Sequence, residues 1–123
     1  MKAEIRYFSK TGNTKKVANA MASAIGVQAK TVDEPAGKTD ILFLGGAVYA
    51  SKIHRKLERF IDELDNRVQR AVIFTTSASE KTAYTQIKKL LEDKGVAVFD
   101  EHFDCLGRFI FYMNIRKWED FNQ

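Results

Sequence analysis

An α/β fold built on a parallel sheet is predicted by three observations in the sequence. Short apolar runs alternate with segments whose apolar residues recur at helical spacing. Two runs, Ile41-Leu42-Phe43-Leu44 and Ala71-Val72-Ile73-Phe74-Thr75, are apolar almost throughout, as in strands buried on both faces. The first run passes into its helix through Ser9-Lys10-Thr11-Gly12-Asn13-Thr14, four small polar residues crowded around one glycine. Strands and helices in this alternation join through right-handed crossovers into one parallel sheet.

Ala3 to Phe8 form the first expected strand. Val17, Ala20, Met21, Ala24 and Ile25 then follow helical spacing, and Gly26 is a stop signal after them. Val27 to Val32 read as a short second strand. Asp33-Glu34-Pro35-Ala36-Gly37-Lys38 is turn-rich and too short for a long helix, so the crossover there is minimal. The third strand, Ile41 to Leu44, is expected to end at Gly45 and Gly46, where a glycine pair lets the chain turn sharply. Ile53, Leu57, Phe60, Ile61 and Leu64 mark a second amphipathic helix. Ala71 to Thr75 is the fourth strand. Ala83, Ile87, Leu90 and Leu91 mark a third helix closed by Gly95, and Val96 to Phe103 is a fifth strand. Phe109-Ile110-Phe111-Tyr112 reads equally as strand or helix start. Met113 to Gln123 leave room for only a short last helix, with Trp118 and Phe121 on its apolar side.

The segment Ser9 to Thr14 has the chemistry of an anion site. The first turn of a helix leaves backbone N–H groups unpaired, and the helix dipole places partial positive charge there. A phosphate supplies the missing acceptors. Ser9, Thr11 and Thr14 add hydroxyl donors, and Gly12 permits close backbone approach. Capping by Thr11 or Asn13 is the simpler reading, but a cap needs one such residue. The sequence contains neither G-x-x-x-x-G-K-[ST] nor G-x-G-x-x-G, which excludes the triphosphate loop and the dinucleotide fingerprint.

At 123 residues the chain is expected to form a single domain, 1–123, with a substantial core. No apolar run approaches the length of a membrane span, and the N-terminus opens directly into a strand without a signal-peptide layout. One cysteine, Cys105, rules out an internal disulfide and suits a reducing cytoplasm. His54 and His102 lie in unrelated contexts and suggest no metal ligand pattern. Net charge is +4, but the charges are interspersed, as in Lys52, Arg55, Lys56 and Arg59 among Glu58, Asp62 and Glu63. That is the pattern of a solvated face, not of a nucleic-acid surface; an acidic protein partner is compatible with it.

The stretch Tyr7-Phe8-Ser9-Lys10-Thr11-Gly12-Asn13-Thr14-Lys15-Lys16-Val17-Ala18 resembles the FMN-phosphate loop of flavodoxins: an aromatic, then Ser/Thr-x-Thr-Gly-Asn-Thr, then a helix. The resemblance implies a flavodoxin-like three-layer sandwich with a five-stranded parallel sheet in order 2-1-3-4-5 and a shortened C-terminal helix. It implies FMN as cofactor, with Ser9, Lys10, Thr11, Gly12, Asn13 and Thr14 around its phosphate. Ligands of doubly wound sheets lie at the carboxyl ends of the strands, at the switch point, so the loops after strands one, three and four feed the site.

Gly45-Gly46-Ala47-Val48-Tyr49-Ala50-Ser51-Lys52 resembles the flavodoxin loop that lies against the isoalloxazine, in the form found in small flavodoxin-like and quinone-linked relatives. By that resemblance Ala47, Val48, Tyr49 and Ala50 meet the ring. Tyr49 offers a flat amphipathic face; its other reading is a core aromatic beside the helix that starts near Ile53. In the third loop Thr76, Ser77, Ala78 and Ser79 offer hydroxyls and amides to the polar edge of the flavin. The same residues fit a helix cap, Ser77 with Glu80 or Ser79 with Thr82. The loop lacks the second aromatic that many electron-carrying flavodoxins set beside the ring, unless Tyr84 reaches back. Phe103-Asp104-Cys105-Leu106-Gly107-Arg108 resembles a Phe-x-Cys-x-Gly segment of similar chains, and Cys105 reads as a small buried hydrophobe. It lacks the C-x5-R arrangement of a thiol phosphatase. A receiver domain of the same fold class needs acidic residues where Ser9 and Lys10 stand.

The function these resemblances imply is that of an FMN-binding electron carrier, with no catalytic side chain, taking electrons from a reductase and passing them to a protein or quinone acceptor. The basic balance departs from the acidic habit of electron-carrying flavodoxins and points to acidic partners. Two other readings stand beside it. One is an FMN-dependent oxidoreductase acting on a quinone or porphyrinogen, which the Tyr49-Ala50-Ser51-Lys52 form favours. The other is a flavodoxin-like binding module without redox turnover. A short last helix would leave apolar surface near strand one uncovered, which predicts either self-association as a homodimer or a marginally stable domain.

Overall fold

The first apolar run forms β1 (Ala3–Tyr7) and leads into α1 (Asn13–Ile25). β2 (Ala29–Thr31) comes next, then β3 (Thr39–Gly46) and a hairpin of β4 (Val48–Tyr49) and β5 (Lys52–Ile53). The chain continues through α2 (Arg55–Asp62), β6 (Val68–Thr75), α3 (Glu80–Asp93) and β7 (Ala97–Phe103). These elements come from a computed structural model that describes residues 2–10, 12–49, 52–75 and 80–103. Cys105, the run Phe109 to Tyr112 and the expected last helix with Trp118 and Phe121 lie outside the described residues.

Five strands form one parallel sheet in the order β2-β1-β3-β6-β7. With the hairpin strands set aside, this is the expected order 2-1-3-4-5. Alternate residues of each central strand face opposite ways, which sorts the core into two layers. Ile5, Tyr7, Ile41, Phe43, Val72 and Phe74 pack against Val17, Ala18 and Met21 of α1. Leu42, Leu44, Ala71 and Ile73 pack against Leu57, Phe60, Ile61, Ile87 and Leu91 of α2 and α3. Each such buried side chain contributes about 1.5–3 kcal/mol relative to exposure. That sum, rather than helix propensity, fixes which face each helix covers.

Both longer helices end as the sequence predicts. Gly26 and Gly95 take positive φ, 74° and 80°. In α1 the Val27 N–H reaches back to the Ala22 carbonyl, and in α3 the Val96 N–H reaches back to that of Leu91. These bonds also explain two boundary errors: Val27 and Val96 belong to helix caps, so β2 and β7 start later than expected. β6 starts earlier, at Val68, because it pairs there with Thr39.

The reading of Gly45 and Gly46 as a turn is overturned. Both continue β3, paired with Phe74 and Thr75 of β6, and neither has positive φ. Their role is space. A Cβ on Gly45 would overlap the Phe74 ring, and one on Gly46 would sit 2.6 Å from Leu57 Cδ2. Gly46 thus lets α2 close onto the carboxyl end of the sheet. Ile53 likewise belongs to β5 rather than α2, and Leu64 lies beyond the end of that helix, although both side chains are buried as the helical pattern demands.

The minimal crossover between β2 and β3 is held by a residue to which the sequence pattern assigns no role. Arg6 points from β1 into the α2 side of the sheet and is only 4% exposed. Its guanidinium donates to the carbonyls of Thr31, Glu34 and Pro35 and to the Glu4 carboxylate. A connection without helix has no internal partners for its carbonyls, and Arg6 supplies them. Burial pushes the Glu4 carboxyl upward, but the Thr39 hydroxyl, the Arg6 charge and hydrogen bond, and the Gly37 amide outweigh it. Its pKa lies below the ordinary 4.5.

Candidate functional site

The carboxyl ends of β1, β3 and β6 are level with one another: Tyr7 pairs with Gly45, Gly45 with Phe74, and Gly46 with Thr75. This is the switch point of the sheet, since β2 lies to one side of β1 and β3 to the other. The segments that leave these three strand ends make the candidate site.

After β1 the chain turns within Phe8 to Gly12. The Ser9 hydroxyl oxygen accepts the Gly12 N–H at 2.9 Å, which folds the loop on itself and leaves the hydroxyl hydrogen to donate. Gly12 stands at the helix N-cap position with φ 91°, a conformation an L residue adopts at a cost, and α1 has no side-chain cap. The expectation that Thr11 or Asn13 caps the helix therefore fails for Asn13, which is the first helical residue; Thr11 lies outside the described residues. The first turn of α1 holds no acid but does hold Lys15 and Lys16, charges that oppose the helix dipole. Thr14 is buried at 2% exposure beside them. A helix start with no side-chain cap or carboxylate among the described residues, and with cations of its own, has the donor set for a tetrahedral anion.

The segment after β3 is a hairpin rather than an open loop. Val48 pairs with Ile53 and Tyr49 with Lys52 across antiparallel strands. Ala47 is buried, and Val48 and Tyr49 are half-buried. The Tyr49 hydroxyl accepts the Lys10 N–H at 3.2 Å, and Lys10 Nζ lies 5.2 Å from the Tyr49 ring centroid. The hairpin is thereby tied to the first loop, so the structure brings together Ser9, Lys10, Gly12 and Tyr49 as the sequence requires. An open groove of ≈ 570 Å³ runs along the hairpin, lined by Tyr49, Lys52, Ile53, His54, Arg55 and Glu58. The sequence gives no sign of such a groove among these loops.

At the end of β6, Thr75 is fully buried, and its Oγ1 has no hydrogen-bond partner among the described residues. Such an atom costs about 1–3 kcal/mol unless something satisfies it. Ala50 and the third loop, Thr76, Ser77, Ala78 and Ser79, lie outside the described residues. Tyr84 does not reach back toward the site: its hydroxyl donates to the Phe99 carbonyl at 3.1 Å, on β7.

Two residues of the site are not legible in the sequence. There Phe8 reads as the end of a strand and as the aromatic before the loop, with no ring partner indicated, and His54 reads only as an isolated histidine. Their rings stack at 4.2 Å and 18°, and both meet Tyr49 edge-on. His54 also caps α2, its Nδ1 accepting the Lys56 N–H at 3.1 Å. The available signal is its position just before a helix that carries Glu58 in its first turn; the Phe8 contact is made by topology alone.

Known proteins resemble this chain in sequence or in fold. An uncharacterized protein of Methanocaldococcus jannaschii is 26% identical over 115 residues, which covers 87% of this chain and 76% of that protein. A flavodoxin from the domain Archaea superposes with TM-score 0.78 at 20% identity, over 100% of both chains. Oxidised Flavodoxin 2 from Bacillus cereus does so with TM-score 0.71 at 15% identity, over 96% of this chain and 99% of that one. A flavoprotein from Lactobacillus acidophilus in complex with FMN has TM-score 0.65 at 16% identity, over 84% of this chain and 91% of that one. At these identities the solved structures establish the shared fold. The family model for the flavodoxin domain matches residues 4–107, and on that match this chain belongs to the flavodoxin family.

Proposed function

We propose that the chain binds FMN at the carboxyl ends of β1, β3 and β6 and carries electrons between a reductase and a protein or quinone acceptor, in the cytoplasm. The observation that carries this reading is the start of α1: a helix N-terminus with Gly12 at its N-cap, no acid in its first turn, and a loop that Ser9 folds back onto Gly12. The residues fit the cofactor. Ser9, Lys10, Thr11, Gly12, Asn13 and Thr14 hold the phosphate. Ala47, Val48, Tyr49 and, by the sequence resemblance, Ala50 would border the ring, and by the same resemblance Thr76 to Ser79 would meet its polar edge. The buried hydroxyl of Thr75, which has no partner among the described residues, supports a polar ligand at the base of that third loop. The FMN complex of the Lactobacillus acidophilus relative supports the identity of the cofactor. When bound, FMN supplies the electron-accepting ring, and the chain supplies position, charge and exclusion of water.

The surface around the site sets the partner. Lys10, Lys52, Arg55 and Lys56 are exposed near the hairpin, with Glu58 as the nearby carboxylate on α2. Such a rim steers an acidic partner toward the site and does so less at high salt. The groove beside Tyr49 favours a second reading, reduction of a small ring compound such as a quinone at the same flavin.

The test is titration of FMN, followed by flavin fluorescence quenching, on wild type and Thr11→Val. Loss of one hydroxyl contact to the phosphate is expected to weaken binding by about 1–3 kcal/mol. No quenching by wild type at any concentration contradicts the proposal. Quinone reduction with a nicotinamide donor selects the second reading over the carrier.

A further inference from the structure

The His54 imidazole sits where three parts of the site meet. It stacks on Phe8 with 4.2 Å between centroids and faces the Tyr49 ring at 6.5 Å and 87°. Phe8 immediately precedes Ser9, and its N–H donates to the Gly45 carbonyl, so it marks where the first loop leaves the sheet. Tyr49 is bonded to the Lys10 amide inside that loop. His54 thus touches the base of the phosphate loop through one ring and the hairpin through the other. Because Nδ1 accepts the Lys56 N–H, the neutral ring carries its hydrogen on Nε2.

Resting on the FMN reading above, we propose that His54 is a positioning residue: as a neutral ring it holds Phe8 and Tyr49 in register for the flavin, and it releases them on taking up a second proton.

The second proton goes to Nδ1, where it opposes the Lys56 N–H, donor against donor. The helix then loses its cap and gains a cation at its positive end. The groups around the ring add to this. Lys10 lies over the neighbouring Tyr49 ring, Lys52 and Arg55 line the same groove as His54, and Lys56 follows on α2. On the acidic side stand Glu58 of α2 and Asp33 of the β2–β3 connection, the latter 3.4 Å from Lys56 Nζ. A charged imidazole in this setting has lost its acceptor role and gained like-charged neighbours, and the stack opens where these outweigh the attraction of the cation to the Phe8 face.

The experiment compares FMN affinity of wild type, His54→Ala and His54→Phe by fluorescence quenching. His54→Ala is expected to bind about three- to ten-fold more weakly, the worth of the lost ring contacts. His54→Phe, which keeps a ring to stack, is expected to recover affinity to within about two-fold of wild type. On acidification from about pH 7.5 to about pH 5.5, wild type is expected to lose more affinity than His54→Phe. The ionisation of the flavin phosphate itself is common to both. If His54→Ala does not fold by circular dichroism, His54→Asn replaces it, since it keeps a cap acceptor but no ring; the same weakening is expected. Three results overturn the proposal: wild-type affinity in the ringless variant, equal losses in His54→Phe and the ringless variant, or identical pH profiles for wild type and His54→Phe. In the ligand-free chain, acidification is expected to shift the amide resonances of Lys10 and Lys56 together in wild type and not in His54→Phe. That readout judges His54 separately: wild type that ignores FMN sinks the cofactor reading, whereas unmoved amides sink the positioning role.

Discussion

Arg6 and Glu4 show how much of this fold rests on two polar side chains in a central strand. Arg6 stands between Ile5 and Tyr7 in β1 and bonds the carbonyls of a crossover that has no helix. The pair is part-buried, and removing the Glu4 carboxylate leaves Arg6 short of one charged acceptor, at a cost of about 1–3 kcal/mol. Glu4→Gln is therefore expected to lower the melting temperature at neutral pH. The pKa of Glu4 is lower in the folded chain than the ordinary 4.5, so its contribution is complete above that value and is lost as pH falls through the folded value. Melting curves should show the gap between wild type and Glu4→Gln widest at neutral pH and closing in acid; a gap that widens in acid is the contrary result. Gly45→Ala tests packing in the same way. With the Phe74 ring in the way of a Cβ, it should cost about 1–3 kcal/mol in urea unfolding. The sequence advertises Gly45 as a turn because a glycine pair after a buried run looks like one; the signal that it makes room for Phe74 lies on a distant strand, where β6 pairs with β3.

Among elements, the helices and central strands are legible in the sequence because their periodicities are carried by many residues at once. The ends of α1 and α3 are legible at Gly26 and Gly95, where positive φ requires glycine. The hairpin of β4 and β5 is not. Its strands are two residues each, too short to show a period, and its place is set by tertiary ties: Tyr49 to Lys10, and Ile53 N–H to the Gln86 side chain of α3. The phosphate loop is legible as chemistry, since Ser9 to Thr14 crowd donors around a glycine, but the identity of the cap is not. Gly12 holds that position by conformation, with no side-chain bond. Gly12→Ala is expected to cost about 1–2 kcal/mol by chemical denaturation, the backbone penalty of a left-handed L residue. The space around it is open, so no steric term adds to that. A neutral substitution there would mean that the loop does not depend on the left-handed turn.

For the molecule as a whole, the charge balance is basic. The net charge of +4 and the position of Lys10 over Tyr49 favour extra negative charge on a bound ring. For a charge about 10 Å from the ring at an effective dielectric of about 40, Lys10→Glu, a change of two charges, lowers the potential by about 70 mV, less in high salt. Redox titration of the two proteins checks it, and an unchanged or raised potential contradicts the assignment of Lys10 to the site. The central claim is that a phosphate ester is gripped where β1 gives way to α1. Its most direct measurement is the affinity of the wild-type chain for FMN beside riboflavin, which differs only in lacking that ester. The account predicts that FMN binds at least about 100-fold more tightly, the worth of two charge-assisted contacts. Equal affinities for the two would contradict it.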